Sequence, residues 1–393
     1  MNFTRLARMD DKLGGCLCRG ALLLGGRGIR QADSSRPRVI VAKLRSVGDV
    51  VLALPMVKAL QESGAEVTFL SGKVNRQWLG LQPFLDRVIT VDMETLWRSP
   101  RFLLLLRQLR RERFDAYIDL TQSSHFAAFI CHASLAPMRI GFETLNPRRR
   151  NKNLMYTHQV PFDQERHIVR NYFDLLGPLG VRPPATISLP LLRCAAADEE
   201  RVEAFVAEAN PDHRELVGVH LSGTVPAKRW PAQRWVECIA GLVAAGRRVI
   251  AVGGRGEEGD IEEVRARLDG NAGGLVNAAG RFTLPQLFAL MKRFRFFLAN
   301  DGGPMHVAAA MGLPVLGLFG PETPVRYAPF NARSLALYKG AEMDCSPCSR
   351  PYHGSWPTCR QPFCLERISS AEVLRALDAL VPRTPPAPGA AVE

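Results

Sequence analysis

No stretch of this 393-residue chain approaches the roughly 18 consecutive apolar residues that cross a bilayer. The longest candidate, residues 125–138, carries two histidines and reads as a buried helix or loop. A signal-peptide core is also missing: residues 21–26 are too short for one, and charged residues precede Leu13-Gly14-Gly15-Cys16, unlike a lipoprotein box. These absences predict a cytoplasmic protein. Aromatic residues make up only 8% of the chain, and none interleave with its basic clusters. That excludes the stacking platform of a single-strand nucleic-acid binder, and no nucleic acid is expected as a partner. Acidic residues are in deficit, 38 against 51 Lys and Arg, giving a net charge of +13. Such a balance points to an anionic partner: an acidic membrane surface or a phosphorylated substrate. Cys16, Cys18, Cys131, Cys194 and Cys238 are scattered, as reduced thiols are.

With 47% hydrophobic and 23% charged residues the composition is that of a soluble globular chain. It is long enough for two domains of about 150 to 180 residues. Residues 1–36 hold seven Lys or Arg against three Asp and read as a mobile basic extension. From residue 37 apolar β-rich runs alternate with helical spacing: strands at 38–44, 67–70, 88–91 and 116–120, and a closing helix at 170–179. After a proline-rich connection near residue 183 the pattern restarts, with strands at 216–221, 248–252, 275–278, 294–299 and 314–319. Two βα series in succession predict an α/β fold of two Rossmann-like, doubly wound domains facing across a cleft. The first spans 37–183 and the second 184–381, the latter ending in a helix that Ser369 and Glu372 cap; residues 382–393 are expected to be disordered.

Three segments carry chemistry. In Asn300-Asp301-Gly302-Gly303-Pro304-Met305-His306 a glycine turn joins a strand to a helix. Gly302 and Gly303 bring backbone N–H groups close to a ligand, and the helix dipole favours a phosphate there. Asp301 and His306 bracket the turn; an ordinary βα turn with a capping Asp is the competing reading. In residues 220–230 a strand end is followed by Ser222, Thr224 and Lys228, hydroxyls and an ammonium suited to a departing diphosphate, although Lys228 alone would pass for a surface lysine. Asp49 follows Gly48 at the head of the first helix, where it serves either as a cap or as a general base. By contrast Gly254–Gly259 fits G-x-G-x-x-G but places Glu257 and Glu258 where a pyrophosphate needs room, so no dinucleotide site is expected. There Glu257 caps the helix or reaches a ribose from the side.

These segments resemble glycosyltransferase family 9, the ADP-heptose:lipopolysaccharide heptosyltransferases, through RVIVAKLRSVGDVVLALP (38–55), VGVHLSGTVPAKRWPAQRW (217–235) and FLANDGGPMHVAAAMGLPVLGLFGP (297–321). The resemblance implies a GT-B arrangement, a donor-binding C-terminal half, an acceptor-binding N-terminal half, and inverting transfer with no cofactor required for catalysis. Asp49 is similar in position to the family's general base. Lys228, Asp301 and His306, with Thr224, Glu257, Gly302 and Gly303, are similar to its donor contacts; many members have Thr or Ser where this chain has Gly302. The implied partners are ADP-heptose, a lipopolysaccharide inner-core acceptor and the anionic surface of the inner membrane, on which the protein would lie peripherally.

Basic residues cluster at Arg98, Arg101, Arg107, Arg110, Arg111 and Arg113, and again at Arg148-Arg149-Arg150-Asn151-Lys152 in what reads as a polar loop. Three adjacent arginines in a loop have little structural purpose, so Arg148, Arg149 and Arg150, with Arg45, are candidate acceptor-binding residues. The arginine-rich helix is a candidate for acceptor phosphates or anionic lipid. Finally Cys345, Cys348, Cys359 and Cys364 form C-x2-C-x10-C-x4-C in a Pro- and Gly-rich loop at 344–365, a pattern that folds around structural Zn or Fe, with His353 as a spare ligand. Two other functions stay open: a heptosyltransferase acting on a protein such as an autotransporter, and a non-catalytic nucleotide-sugar binding protein.

Overall fold

Strand β1 (Arg38–Lys43) is buried at every residue after Arg38, as its unbroken apolar run requires of a parallel strand covered on both faces. The computed structural model describes residues 36–381 except 94, 97–99, 224, 349–358, 360 and 361, together with Asp10, Cys18 and Gly20. The chain forms two compact units, the first made mainly of residues up to Ala195 and the second mainly of residues from Ala196 onward. In the first, β1 is joined by β2 (Glu66–Gly72), β3 (Arg87–Val91), β4 (Ala116–Asp119), β5 (Met138–Phe142) and β6 (His158–Val160) in the order β3-β2-β1-β4-β5-β6. All neighbours are parallel, with Val39 level with both Val67 and Ala116. The second unit repeats this plan with β7 (Leu216–His220), β8 (Arg248–Ala251), β9 (Leu275–Asn277), β10 (Phe297–Asn300), β11 (Val315–Phe319) and β12 (Ser334–Tyr338), ordered β12-β11-β10-β7-β8-β9. In each sheet the strand order reverses beside the first strand. A crevice therefore opens at the carboxyl ends of β1 and β4, and another at those of β7 and β10.

The helices arise from periodicity and from where the sheet needs cover. Helix α1 (Val47–Glu62) is apolar around most of its circumference and buried from Val50 to Val57. In the first unit α2 (Arg101–Glu112), α3 (His125–Ala133) and α4 (Ile168–Asp174) complete the layers. In the second unit α5 (Ala196–Ala209), α6 (Ala232–Ala244), α7 (Glu258–Ala266), α8 (Leu284–Met291), α9 (Gly303–Ala310) and α10 (Ser370–Leu380) do so. The core there includes Trp230 and Trp235 packed edge to face with centroids 5.1 Å apart. Among the described residues no helix is long and apolar enough to cross a membrane.

Three strands lack the apolar signature. β5 contains Arg139 and Gly141, and the Tyr156 ring fills the space where a Cβ on Gly141 would stand. β6 has only three residues, and β12 is a half-exposed sheet edge. Residues 147–155 are not an open loop but a 3₁₀ segment, and part of the basic run is structural. Lys152 is fully buried, donates to the Phe142 carbonyl at 2.7 Å and lies over the Tyr156 ring at 4.7 Å, while the Tyr156 hydroxyl donates to Asp119 at 2.7 Å. The expectations for 1–36 and 382–393 fall outside the described residues, except that Asp10 and Cys18 are buried in the first unit.

Two measurements test this packing. A Cβ on Gly218, in the middle of β7, would run into the rings of Phe294 and Phe297. Gly218→Ala should therefore cost about 1–3 kcal/mol, seen as a lower urea midpoint at unchanged slope. Burial lowers the Lys152 pKa to about 8, with Asp119 opposing the shift. The unfolded chain, with Lys near about 10.4, binds more protons between those values, so stability should rise with pH across that window. Lys152→Met should flatten the rise in urea midpoints measured from pH 7 upward.

Candidate active site

In the second unit the carboxyl ends of β7 and β10 bring distant residues together. Asn300, fully buried at the end of β10, donates through Nδ2 to the Leu221 and Ser222 carbonyls at 2.6 and 3.2 Å, and its Oδ1 accepts from the Trp230 N–H at 3.2 Å. The loop after β7 is thereby pinned beside β10. The result is an ion pair between Lys228 Nζ and Asp301 Oδ2 at 2.5 Å, with side chains 17% and 6% exposed. Ser222 Oγ donates to Asp260 at 2.8 Å, and Arg229 pairs with the same carboxylate at 3.1 Å. On the other side His220, at the tip of β7, lies 3.5 Å from Glu257 Oε2.

The two glycine turns of this unit differ in what occupies them. At the head of α7 the turn is filled by its own acids: Gly254 N–H donates to Glu257 at 2.7 Å and Gly256 N–H to Glu258 at 2.6 Å. Burial would push the Glu257 carboxyl up, but His220, the Gly254 N–H and Arg229 together outweigh it and hold the group below the usual carboxylate range. A pyrophosphate has no place there. Helix α9 starts at Gly303, and its N-cap Gly302 has no side chain to bond the N–H groups of the first turn. Gly302 is extended, at φ −175°, a conformation open to any residue, and a Cβ there would meet nothing nearer than 3.7 Å. Backbone freedom therefore does not account for this glycine; it leaves space, bounded by His220 Cε1 at 3.9 Å from the Cβ position. His306 is the fourth residue of α9, 4% exposed. Thr224 lies outside the described residues.

In the first unit the turn from β1 into α1 presents Asp49. The helix begins at Val47, and its cap is Ser46, whose Oγ accepts from the Asp49 N–H at 3.3 Å. Asp49 is thus relieved of capping, and its carboxylate pairs instead with Lys43 Nζ at 3.0 Å. Ser46 holds φ +72°, a left-handed conformation that costs a non-glycine residue of order 1–3 kcal/mol and is found mostly at functional turns. Arg45 is half-buried beside it, its pKa lowered by burial and partly restored by the charge of Asp10.

The basic run divides. Arg149 is buried, pairs with Asp10 at 3.2 Å and donates to the Ser123 carbonyl. Asp10 in turn accepts from the His125 and Phe126 N–H groups at 3.1 and 2.8 Å, at the head of α3. An arginine in this segment therefore does have a structural use. Arg150 is exposed, and the Arg148 side chain lies outside what is described.

The four late cysteines do not share one environment: Cys345 and Cys359 are exposed, Cys348 intermediate and Cys364 buried. Among the described residues no three His, Cys, Asp or Glu side chains are grouped to hold a metal; His353 and most of the segment between Cys348 and Cys359 lie outside those residues. Sequence reasoning passed over Lys43, His220 and Asn300. The signal for them was a polar residue at the end of an otherwise apolar strand, at the edge where ligands bind.

Comparison with known proteins bears on the family and the fold. The chain is 25% identical over 317 residues to the lipopolysaccharide core heptosyltransferase OpsX of Haemophilus influenzae, covering 74% of this chain and 81% of that protein. Its fold is similar to that of the ADP-heptose lipopolysaccharide heptosyltransferase II of Escherichia coli, with TM-score 0.67, 21% identity and coverage of 88% and 98%. It is also similar to the iron-containing dodecameric glycosyltransferase TibC of enterotoxigenic E. coli, with TM-score 0.53, 18% identity and coverage of 88% and 76%. The sequence profile of the heptosyltransferases matches residues 102–352, well over half the chain, and the protein is therefore a transferase belonging to glycosyltransferase family 9.

Proposed function

We infer that the protein transfers heptose from ADP-heptose to an inner-core lipopolysaccharide acceptor at the cytoplasmic face of the inner membrane, with inversion and without a catalytic metal. The observation that carries this reading is the Asp49 carboxylate, freed from capping by Ser46 and held by Lys43 at the end of β1. An acceptor hydroxyl becomes strongly acidic as it bonds to an oxocarbenium-like carbon, so a carboxylate need only take its proton late. In that step the new C–O bond forms as the bond to the diphosphate oxygen breaks. The proton passes to Asp49, and the electron pair leaves with ADP. Lys228 and the open first turn of α9 meet the growing negative charge of the diphosphate. Asp301 positions Lys228, while His220 borders the space beside Gly302 and Glu257 lies 3.5 Å from the His220 ring. Arg45 and Arg150 are the basic side chains that an anionic acceptor would meet, with Arg148 and Arg149 in the same segment.

A second reading, transfer to a protein acceptor, draws on the C-x2-C-x10-C-x4-C segment and the likeness to an iron-containing glycosyltransferase. Elemental analysis of purified protein bears on it: iron or zinc near one per chain favours that reading, and no metal removes its support.

Asp49→Asn should reduce acceptor-dependent ADP release from ADP-heptose about 10²–10⁴-fold while leaving ADP-heptose binding within about twofold. Release at the wild-type rate would remove Asp49 from the reaction. Lys228→Met should weaken ADP binding at least about tenfold by calorimetry, and equal affinity would remove Lys228 from the donor site. Gly302→Thr fits the free space, so its melting temperature should match the wild type, with ADP-heptose affinity equal or higher.

A further inference from the structure

Helix α2 shows two faces of different kinds. Its inner face is satisfied: Leu105 and Leu109 are buried, and Phe102 packs on Phe126 and Phe129 of α3 at 5.5 and 6.1 Å. At 100° per residue, positions 103, 104, 107 and 111 fall on one outward stripe. Leu103 is 59% exposed and Leu104 57%, whereas the next two turns of that stripe carry exposed Arg107 and Arg111. Neither arginine has an ion pair or hydrogen bond among the described residues. The one acid on the helix, Glu112, is taken up by Arg38 and Arg87. Beside the stripe lies a groove of about 500 Å³ between α2 and Arg38, lined by Leu104, Arg107 and Arg111. Leucines and arginines are separated by about 4.5 to 12 Å along the axis, on a chain of net charge +13.

Adjacent leucines more than half exposed, followed within two turns by unneutralised arginines, need a partner that is apolar and densely anionic over that same distance. A bilayer interface has that profile, since amphipathic helices sink about 5–10 Å into the headgroup and acyl boundary while their basic residues meet lipid phosphates. We propose that the outward face of α2 docks the protein on an anionic lipid bilayer, with Leu103 and Leu104 entering the boundary and Arg107 and Arg111 meeting lipid phosphates at the groove. This deepens the proposed function, on which it rests for its purpose: a lipid-linked acceptor reaches the enzyme only at such a surface.

The test is flotation of the full-length protein with phosphatidylglycerol-containing vesicles and with vesicles of phosphatidylcholine alone. The wild type should bind the anionic vesicles in a salt-sensitive manner and the neutral ones at least about tenfold more weakly. The double variant Leu103→Gln with Leu104→Gln, whose side chains are exposed and whose melting curve should be unchanged, should lose about tenfold in partitioning. It should still release ADP at the wild-type rate with a short water-soluble acceptor. Equal binding of both vesicle types, equal partitioning of the variant, or binding to duplex DNA in place of vesicles would overturn the proposal. Absence of vesicle binding alongside transfer to the soluble acceptor would overturn it while the proposed function stands. Leucine-dependent vesicle binding with no transfer to any acceptor would support the surface and overturn the function.

Discussion

The side chain of Asn300 ties the second unit's site together. It is one amide, buried at the end of a parallel strand, that makes three hydrogen bonds to the loop following a different strand. An amide suits the position because it both donates and accepts, so one side chain satisfies two carbonyls and one N–H that the loop would otherwise bury unpaired. A carboxylate could not donate to the Leu221 and Ser222 carbonyls, and an apolar residue would leave all three groups unsatisfied, at about 1–3 kcal/mol each. With the loop fixed, Lys228 is held beside Asp301, next to the uncapped start of α9.

The strand order of the two sheets explains why these interactions fall where they do. In each unit the first strand lies between crossovers that leave in opposite directions, so its carboxyl end and that of its neighbour cannot both be covered by helices. Lys43 and Asp49 occupy that place in the first unit, and His220, Asn300 and Asp301 in the second. The repetition of the plan does not extend to what fills it. The first turn of α1 is capped by Ser46, the head of α7 is closed by two glutamates, and the head of α9 is left uncapped.

Much of this was legible from sequence for a physical reason. Strands covered on both faces are apolar along most of their length, and so β1, β4, β7, β10 and β11 declare themselves as apolar runs, four of them ending in a polar residue. β5 and β12 do not, since an edge strand or one crossed by a tyrosine ring needs polar or small residues that read as loop. The glycine turn before α9 was legible because its glycines, acid and helix start are contiguous. Its supporting interactions were not: Lys228 and Asp301 are 73 residues apart, Asn300 and Leu221 are 79 apart, and Arg149 meets Asp10 across 139. Pairings over such distances depend on strand order, which local pattern does not encode. The cap of α1 was hidden for a related reason, since Ser46 reads as a loop residue until its hydroxyl is seen to accept from the Asp49 N–H.

Both principal carboxylates are neutralised by a lysine, and the two pairs differ in what a ligand would do to them. Lys43 and Asp49 are 11% and 23% exposed, Lys228 and Asp301 17% and 6%. Desolvating such pairs is costly, and removing one partner leaves an uncompensated buried charge at about 3–5 kcal/mol, so each pair is held in place by its own electrostatics. On the proposed reading a diphosphate competes with Asp301 for the Lys228 ammonium, and the energy of donor binding includes the loss of that contact. Asp49 instead keeps Lys43 until it accepts a proton, when the pair's attraction falls. On the same reading Lys43 acts as a positioning group that fixes the Asp49 carboxylate at the end of β1, and the acceptor hydroxyl must be activated by bonding to the sugar carbon before its proton is lost. That requirement couples proton loss to bond formation at the sugar carbon and disfavours ionisation of the acceptor before the donor is in place.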